Sequence, residues 1–333
     1  MMREPMHRRS FVTLLGGASA AAWPLAARAQ QRTMPVVGWL HAVSPEGQEA
    51  NVAALRKALS ENGFVEGRNV VIEYRFANND YNRLPELAAD LVRRKVAVIL
   101  ALGGAVVTRA AKSATTDIPI VFVQGQDPVA MGLVASLNRP GGNITGISFL
   151  SAELGPKRLG LLKELVPTAA RYAVLVNPND PATDLVVADL RAAAASVGRE
   201  IEVFGAGSIR EIDSAFAELV QKGCDALVVG ASSLLATRRV QIATLAAIHR
   251  LPAIYYTRQS VEVGGLMSYG ADIPDAMYQG STYVGRILKG AKPADLPVVQ
   301  SAKFEFVLNL QTARSLGLDV PPGLLAITDA VIE

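Results

Sequence analysis

Asp127 and Asp180 close the apolar runs FVQGQDPV and VLVNPNDP, and two carboxylates facing each other across a cleft could share the acid and base work of glycoside cleavage. Each stands directly before a proline, however, where an Asp side chain commonly holds its own turn, so the pair reads as turn chemistry. A nucleophilic serine on a strained elbow needs G-x-S-x-G, and GASSL at 230–234 lacks the final glycine. His41, His249 and the single Cys224 do not cluster at metal-ligand spacing, and one cysteine leaves no internal disulfide. LGGAVVTRA at 102–110 has adjacent glycines but fits neither G-x-G-x-x-G nor G-x-x-x-x-G-K-[ST]. Such a loop can still bring backbone close to a ligand and turn N–H groups toward an anionic oxygen, such as a solute carboxylate. These residue types suit holding a molecule rather than transforming it. No catalytic residue, cofactor or metal is expected.

The elements that must position these residues alternate along the chain. MPVVGWL, NVVIEYRF, VAVILAL and IPIVFV read as strands, separated by the helical patterns EANVAALRKALSENGF, LPELAADLVRRK and AVVTRAAKSA. Alternation with continuous Val/Ile/Leu runs is the pattern of a parallel sheet covered by helices on both faces. The order then returns with a period of roughly 130 residues, far beyond any solenoid repeat. RYAVLVNPNDPATDLVVADLRAAAASVGREIEVFGA echoes the first strand–helix–strand unit, and LPAIYYTRQS matches IPIVFVQGQD down to the proline. The fold class expected is α/β, with two Rossmann-like lobes built on parallel sheets. The PGGN turn before ITGISFL, then GGLMSYGADIPDAM, then VVQSAKFEFVLNLQTA, read as three crossovers, and three strands between lobes make a hinge. The expected organisation is 1–29 as a leader, 30–145 with 272–300 as the first lobe, and 146–271 with 301–333 as the second.

In an open parallel sheet, ligands bind beyond the carboxyl ends of the strands. The candidate binding residues are therefore those that end an apolar run or come just after it. From the first half these are His41, Gly103, Gly104, Ala105, Gln124 and Asp127; from the second, Asn177, Ala231, Ser232, Tyr255 and Tyr269. His41 reads either as a donor to a ligand or as an exposed loop residue. Tyr255, Tyr256 and Tyr269 can stack on a flat solute and hydrogen-bond it, and at least one of the three is expected to face a core instead.

The first 29 residues read as an export signal: a basic start, an apolar run from Phe11 to about Ala22, and Ala27-Arg28-Ala29 before Gln30. Arg8-Arg9-Ser10-Phe11-Val12 resembles the twin-arginine pattern, with ordinary Sec export the alternative. The leader carries the whole formal excess of +3, so the chain beyond Ala29 is formally neutral and offers no basic face for nucleic acid. The expected location is the periplasm, after cleavage near Ala29.

PVVGWL, GFVEGRNVVIEYRFANND, IPIVFVQGQDPVAMGLVASLNRPGGNITGISF and KRLGLLKELVP together resemble the ABC-transporter substrate-binding family that includes tryptophan-type binders. The resemblance implies a type I periplasmic binding protein fold, a monomer that closes on a small solute, and a permease and ATPase as membrane partners. It implies no enzymatic activity, and the solute class it suggests is an amino acid or another aromatic or carboxylated compound. The Gly-Gly-Ala after Leu102 replaces the Ala-Thr-Pro-like run of related binders, so their ligand does not carry over directly. Service to a sensor, or an enzyme on the same fold, remain the alternatives. A sugar-responsive repressor would need an N-terminal helix-turn-helix, where this chain has its leader.

Overall fold

The computed structural model describes residues 34–149, 154–180 and 182–333. The expected export signal therefore lies outside the described residues. The first half runs β1 (Val36–His41), α1 (Glu49–Glu61), β2 (Val71–Phe76), α2 (Leu84–Arg93), β3 (Val98–Leu102), α3 (Ala105–Ala114), β4 (Ile120–Gln124) and β5 (Ile144–Ser148). The second runs α4 (Gly155–Leu165), β6 (Arg171–Val176), α5 (Thr183–Ser196), β7 (Glu200–Gly205), α6 (Ile209–Gln221), β8 (Ala226–Val229), α7 (Ser233–Thr237), α8 (Arg239–Ile248), β9 (Ala253–Tyr255), α9 (Arg258–Glu262) and β10 (Met267–Ala271). The chain closes with α10 (Ile273–Leu288), β11 (Val299–Gln300), β12 (Phe304–Asn309), α11 (Leu310–Leu316), α12 (Pro322–Ala326) and β13 (Ala330–Ile332).

Two sheets result, ordered β11-β5-β4-β3-β1-β2 and β13-β12-β10-β9-β8-β6-β7. Every pairing is parallel except β10 with β12. The order β5-β4-β3-β1-β2 reappears as β10-β9-β8-β6-β7, which is the sequence repeat expressed as topology. β3, β4 and β5 are buried along their whole length, as continuous apolar runs require when helices cover both faces.

Each sheet packs a separate core on either face. In the first, Trp39, Leu55, Leu59, Val121, Val123 and Met277 fill the side under α1 and α10, while Leu84, Leu91, Ile99, Val107 and Phe122 fill the side under α2 and α3. In the second, Leu162, Val174, Val186 and Leu190 lie on one side, with Phe216, Leu219, Leu227 and Ile242 on the other. Local signals agree with these elements. Ser208 caps α6 by accepting from the Glu211 N–H, and Glu211 reaches back to accept from the Gly207 N–H, a variant of the capping box displaced by one residue.

The chain passes between the sheets three times: between Phe149 and Leu154, between Ala271 and Ile273, and between Gln300 and Phe304. The first passage comes later than the boundary placed at 145. β5 keeps its register with β4 out to Gln124↔Ser148, so all of it stays in the first sheet. The passages also exchange helices, because α10 follows the second sheet in sequence yet packs on α1, β4 and β5 of the first.

Close backbone approach fixes one strand position in particular. A Cβ on Gly146 would stand 2.1 Å from the Phe122 carbonyl oxygen and 2.7 Å from its Cγ. Those atoms belong to the register partner in β4 and cannot yield without parting the strands. A Cβ on Gly160, inside α4, would meet nothing within 4 Å. Gly146→Ala is therefore expected to lose about 1–3 kcal/mol of stability. Gly160→Ala should hold stability or gain up to about 1 kcal/mol from helix propensity. Chemical denaturation of the two variants checks the contrast.

Candidate functional site

The carboxyl ends of β1, β3 and β4 face those of β6, β8 and β9 across a cleft of about 550 Å³. The two loops that the sequence repeat makes equivalent touch directly. Ser233, opening α7, donates its hydroxyl to the carbonyl oxygen of Gly103 at 3.3 Å.

Gly103 and Gly104 adopt φ of +113° and +101°, a region that favours glycine. Space demands glycine as well: a Cβ on Gly103 would meet Ala42 Cβ at 2.8 Å and His41 Nδ1 at 3.1 Å. Gly104 starts α3 without a side chain to cap it. Gln126 supplies the cap from the next loop, its Oε1 accepting the Ala105 N–H at 3.1 Å. Gln126 is held in turn by its neighbours. Its carbonyl accepts from Gln124 Nε2 at 3.2 Å and from the Ser148 hydroxyl at 3.1 Å, while Gln124 Oε1 accepts from buried Thr108 at 2.8 Å. The Gly-Gly turn is thus occupied by a neutral amide rather than standing open as an anion nest.

His41 is buried at the end of β1, between Trp39 and Phe76, each ring about 6.0 Å from its own. Burial pulls its pKa down to about 4, so the imidazole is neutral at ordinary pH. His41 Nε2 lies 3.0 Å from Gln48 Oε1, which also accepts from Asn51 Nδ2 at 2.8 Å. The deep part of the first rim therefore presents neutral donors and acceptors, with the exposed Glu49 carboxylate at the start of α1. On the second rim, Tyr256 donates its hydroxyl to the Ser232 carbonyl at 2.6 Å, and the Arg158 guanidinium sits 5.9 Å over its ring. Arg158 is buried behind the cleft, donates from Nε to the Tyr269 carbonyl at 2.9 Å, and is brought down to about 10 by burial.

Three carboxylates line the cleft: Glu262, paired with Arg258; Glu49, exposed at the start of α1; and Asp180. Asp180 accepts from the Ala182 N–H at 3.0 Å, yet burial still raises its pKa above the ordinary carboxylate value. Among the described residues no Lys or Arg lies within ion-pair distance of it. Tyr81, from the first lobe, stands beside Asp180, and burial together with that charge pushes its phenol up to about 12.

Of the residues expected at the site, His41, Gly103, Gly104, Gln124, Ala231 and Ser232 line the cleft, while Ala105 is buried beside them and its N–H is taken by Gln126. Four lie elsewhere. Asp127 accepts from the Val129 and Ala130 N–H groups at 2.7 and 3.2 Å, so its carboxylate holds a turn. Asn177 is buried behind Asp180, its Oδ1 accepting the Asn179 N–H at 3.0 Å. Tyr255 packs in the core with Phe216 and Leu227, since strand alternation turns it away from the face that Tyr256 presents. Tyr269 stacks on Phe304 at 6.3 Å, on the far side of Arg158. Gln48, Asn51, Gln126, Thr257 and Arg239 also line the cleft, outside the expected set. The sequence signal for Gln48 and Asn51 is their i, i+3 spacing at the start of α1, one loop after β1.

Among the described residues no three His, Cys, Asp or Glu side chains converge as metal ligands, and no helix is long and apolar enough to cross a membrane.

The model of the ABC transporter substrate binding protein family matches residues 36–332. A tyrosine-binding protein of Clostridioides difficile strain R20291 is 31% identical over 263 residues, covering 79% of this chain and 75% of the relative. Among solved structures, the ABC domain from Streptococcus pneumonia in complex with L-Trp matches with a TM-score of 0.80 at 26% identity, covering 89% of this chain and 100% of that one. The ligand-free, open structure of a substrate binding protein with adhesive properties from Clostridium difficile matches at 0.64 and 29% identity, covering 90% and 99%. The fold is that of the type I periplasmic binding proteins, and the chain belongs to the ABC transporter substrate binding protein family.

Proposed function

We propose that this chain is the periplasmic solute-binding component of an ABC importer and that its solute is an aromatic amino acid. The observation that carries the solute class is Asp180: a half-buried carboxylate in the cleft, with no cation beside it among the described residues. A carboxylate in that position is costly unless a positive partner arrives, and a solute ammonium supplies one. Around it the cleft offers Tyr256 and Phe149 as apolar faces and the neutral amides Gln48, Asn51, Gln124 and Gln126 as hydrogen-bond partners. The naming of one relative for tyrosine and the L-Trp held by another support the same class. Export through the N-terminal leader and delivery to a permease and ATPase complete this reading.

Thermal-shift and calorimetric titration with L-tyrosine, L-tryptophan and L-phenylalanine test it. A true solute at one hundred times its Kd should stabilise the protein by about 2.7 kcal/mol. Asp180→Asn is expected to weaken the amino acid about 10- to 100-fold while leaving hydroxyphenylpropionate, which lacks the amino group, unaffected. Stabilisation by none of the three would end the proposal.

The titration behaviour gives an independent check. Because the Asp180 pKa is raised, the carboxylate takes up a proton at a higher pH than an ordinary Asp, and the ammonium then loses its partner. Affinity should therefore fall on acidification, starting at a higher pH than protonation of an ordinary Asp would require, and Asp180→Asn should flatten that limb. His41, with its pKa brought down to about 4 by burial, adds no step of its own near neutral pH. A flat profile in the wild-type protein would argue against Asp180 as the ammonium partner.

A further inference from the structure

We propose that Arg239 receives the carboxylate of the solute and ties it to closure of the lobes; this rests on reading the cleft as an amino-acid site. Arg239 opens α8 in the second lobe and lines the cleft. A guanidinium has five N–H donors. Here one bond from a terminal nitrogen reaches the Ala236 carbonyl at 3.1 Å, and the Nε–H is buried with no partner. No Asp or Glu lies within 4.0 Å of it among the described residues. The other arginine of the cleft, Arg258, is already engaged by Glu262 and Glu305. Arg239 is therefore the cation with donor capacity left for a planar anion, and the fork of a guanidinium matches a carboxylate.

Its position gives it a second role. A Cβ on Gly47, in the turn between β1 and α1 of the first lobe, would stand 2.9 Å from the second terminal nitrogen of Arg239. Gly47 also has φ of +76°, so both conformation and space favour glycine where the turn meets the guanidinium. Neither Glu46 in that turn nor Glu49 at the start of α1 forms an ion pair with Arg239 among the described residues, and Glu49 accepts from the Gly47 N–H at 3.3 Å instead. A carboxylate held by Arg239 thus lies where the two lobes meet. Asp180 and Arg239 together make the cleft selective for a zwitterion, each supplying the charge that one end of an amino acid lacks.

Isothermal titration of the full chain with L-tyrosine and with tyramine, which lacks the carboxylate, tests the assignment. The wild-type protein should bind L-tyrosine at least about 10-fold more tightly than tyramine. Arg239→Gln should weaken L-tyrosine about 10- to 100-fold and leave tyramine unchanged, so that the two ligands converge. Arg239→Lys, which keeps the charge without the fork, should fall between them. Equal binding of the two ligands by the wild-type protein overturns the assignment, and that comparison requires no variant to fold. An unchanged ratio in Arg239→Gln also overturns it while leaving the amino-acid reading intact. Failure of the wild-type protein to bind any aromatic amino acid overturns both.

Discussion

The contact between Ser233 and the Gly103 carbonyl depends on a constraint that governs the rest of the molecule: two parallel sheets set with their carboxyl ends facing. Parallel strands return to the same edge through helices, so every loop at that edge is free of the ladder and can carry polar groups. Opposing two such edges makes a cleft whose walls are loops and whose supports are fully buried strands. Three passages of chain between the sheets define how those walls approach each other. The packing of α10 onto the first sheet ties that lobe to chain that follows β10 of the second.

Within that frame the cleft is mostly neutral. His41 is kept uncharged by burial, and Gln124 and Gln126 satisfy one another, Thr108, Ser148 and the first turn of α3. Their hydrogen bonds fix the shape of the first rim without placing a charge on it. Glu49 lines the cleft as an exposed carboxylate. Two ionic groups are instead half-buried there and without a partner of opposite sign among the described residues: Asp180, whose carboxylate burial destabilises, and Arg239, whose Nε–H has no acceptor. Both are on the second lobe, and both meet the first lobe, through Tyr81 and Gly47 respectively. A solute that neutralises them therefore acts on the same contacts that hold the lobes together, which is how binding becomes closure.

The architecture is legible in the sequence because continuous Val/Ile/Leu strands between amphipathic helices leave few alternatives, and because the repeat declares two similar lobes. The rule that ligands gather at carboxyl strand ends finds His41, Gly103, Gly104, Gln124, Ala231 and Ser232, all of which end a strand or come soon after one. It does not separate neighbours. Tyr255 and Tyr256 are adjacent, and which of them faces the cleft depends on the pleat of β9, so composition alone does not distinguish them. Asp127 and Asp180 share the Asp-Pro signature, yet one carboxylate is satisfied by two turn N–H groups and the other is left facing the cleft. That difference arises from the opposite lobe, which a local pattern does not contain. Gln126 lies two residues past β4, within reach of the rule, and only its bond to the Ala105 N–H singles it out. Arg239 escapes the rule because it meets the turn of the opposite lobe at Gly47.

Binding of a zwitterion between Asp180 and the closing lobes is tested most directly by a crystal structure of this protein grown with L-tyrosine. The expected result is closed lobes, the amino group within hydrogen-bond distance of the Asp180 carboxylate, and the ring beside Tyr256. A closed complex with the amino group directed elsewhere, or a cleft that stays empty at saturating L-tyrosine, would contradict it.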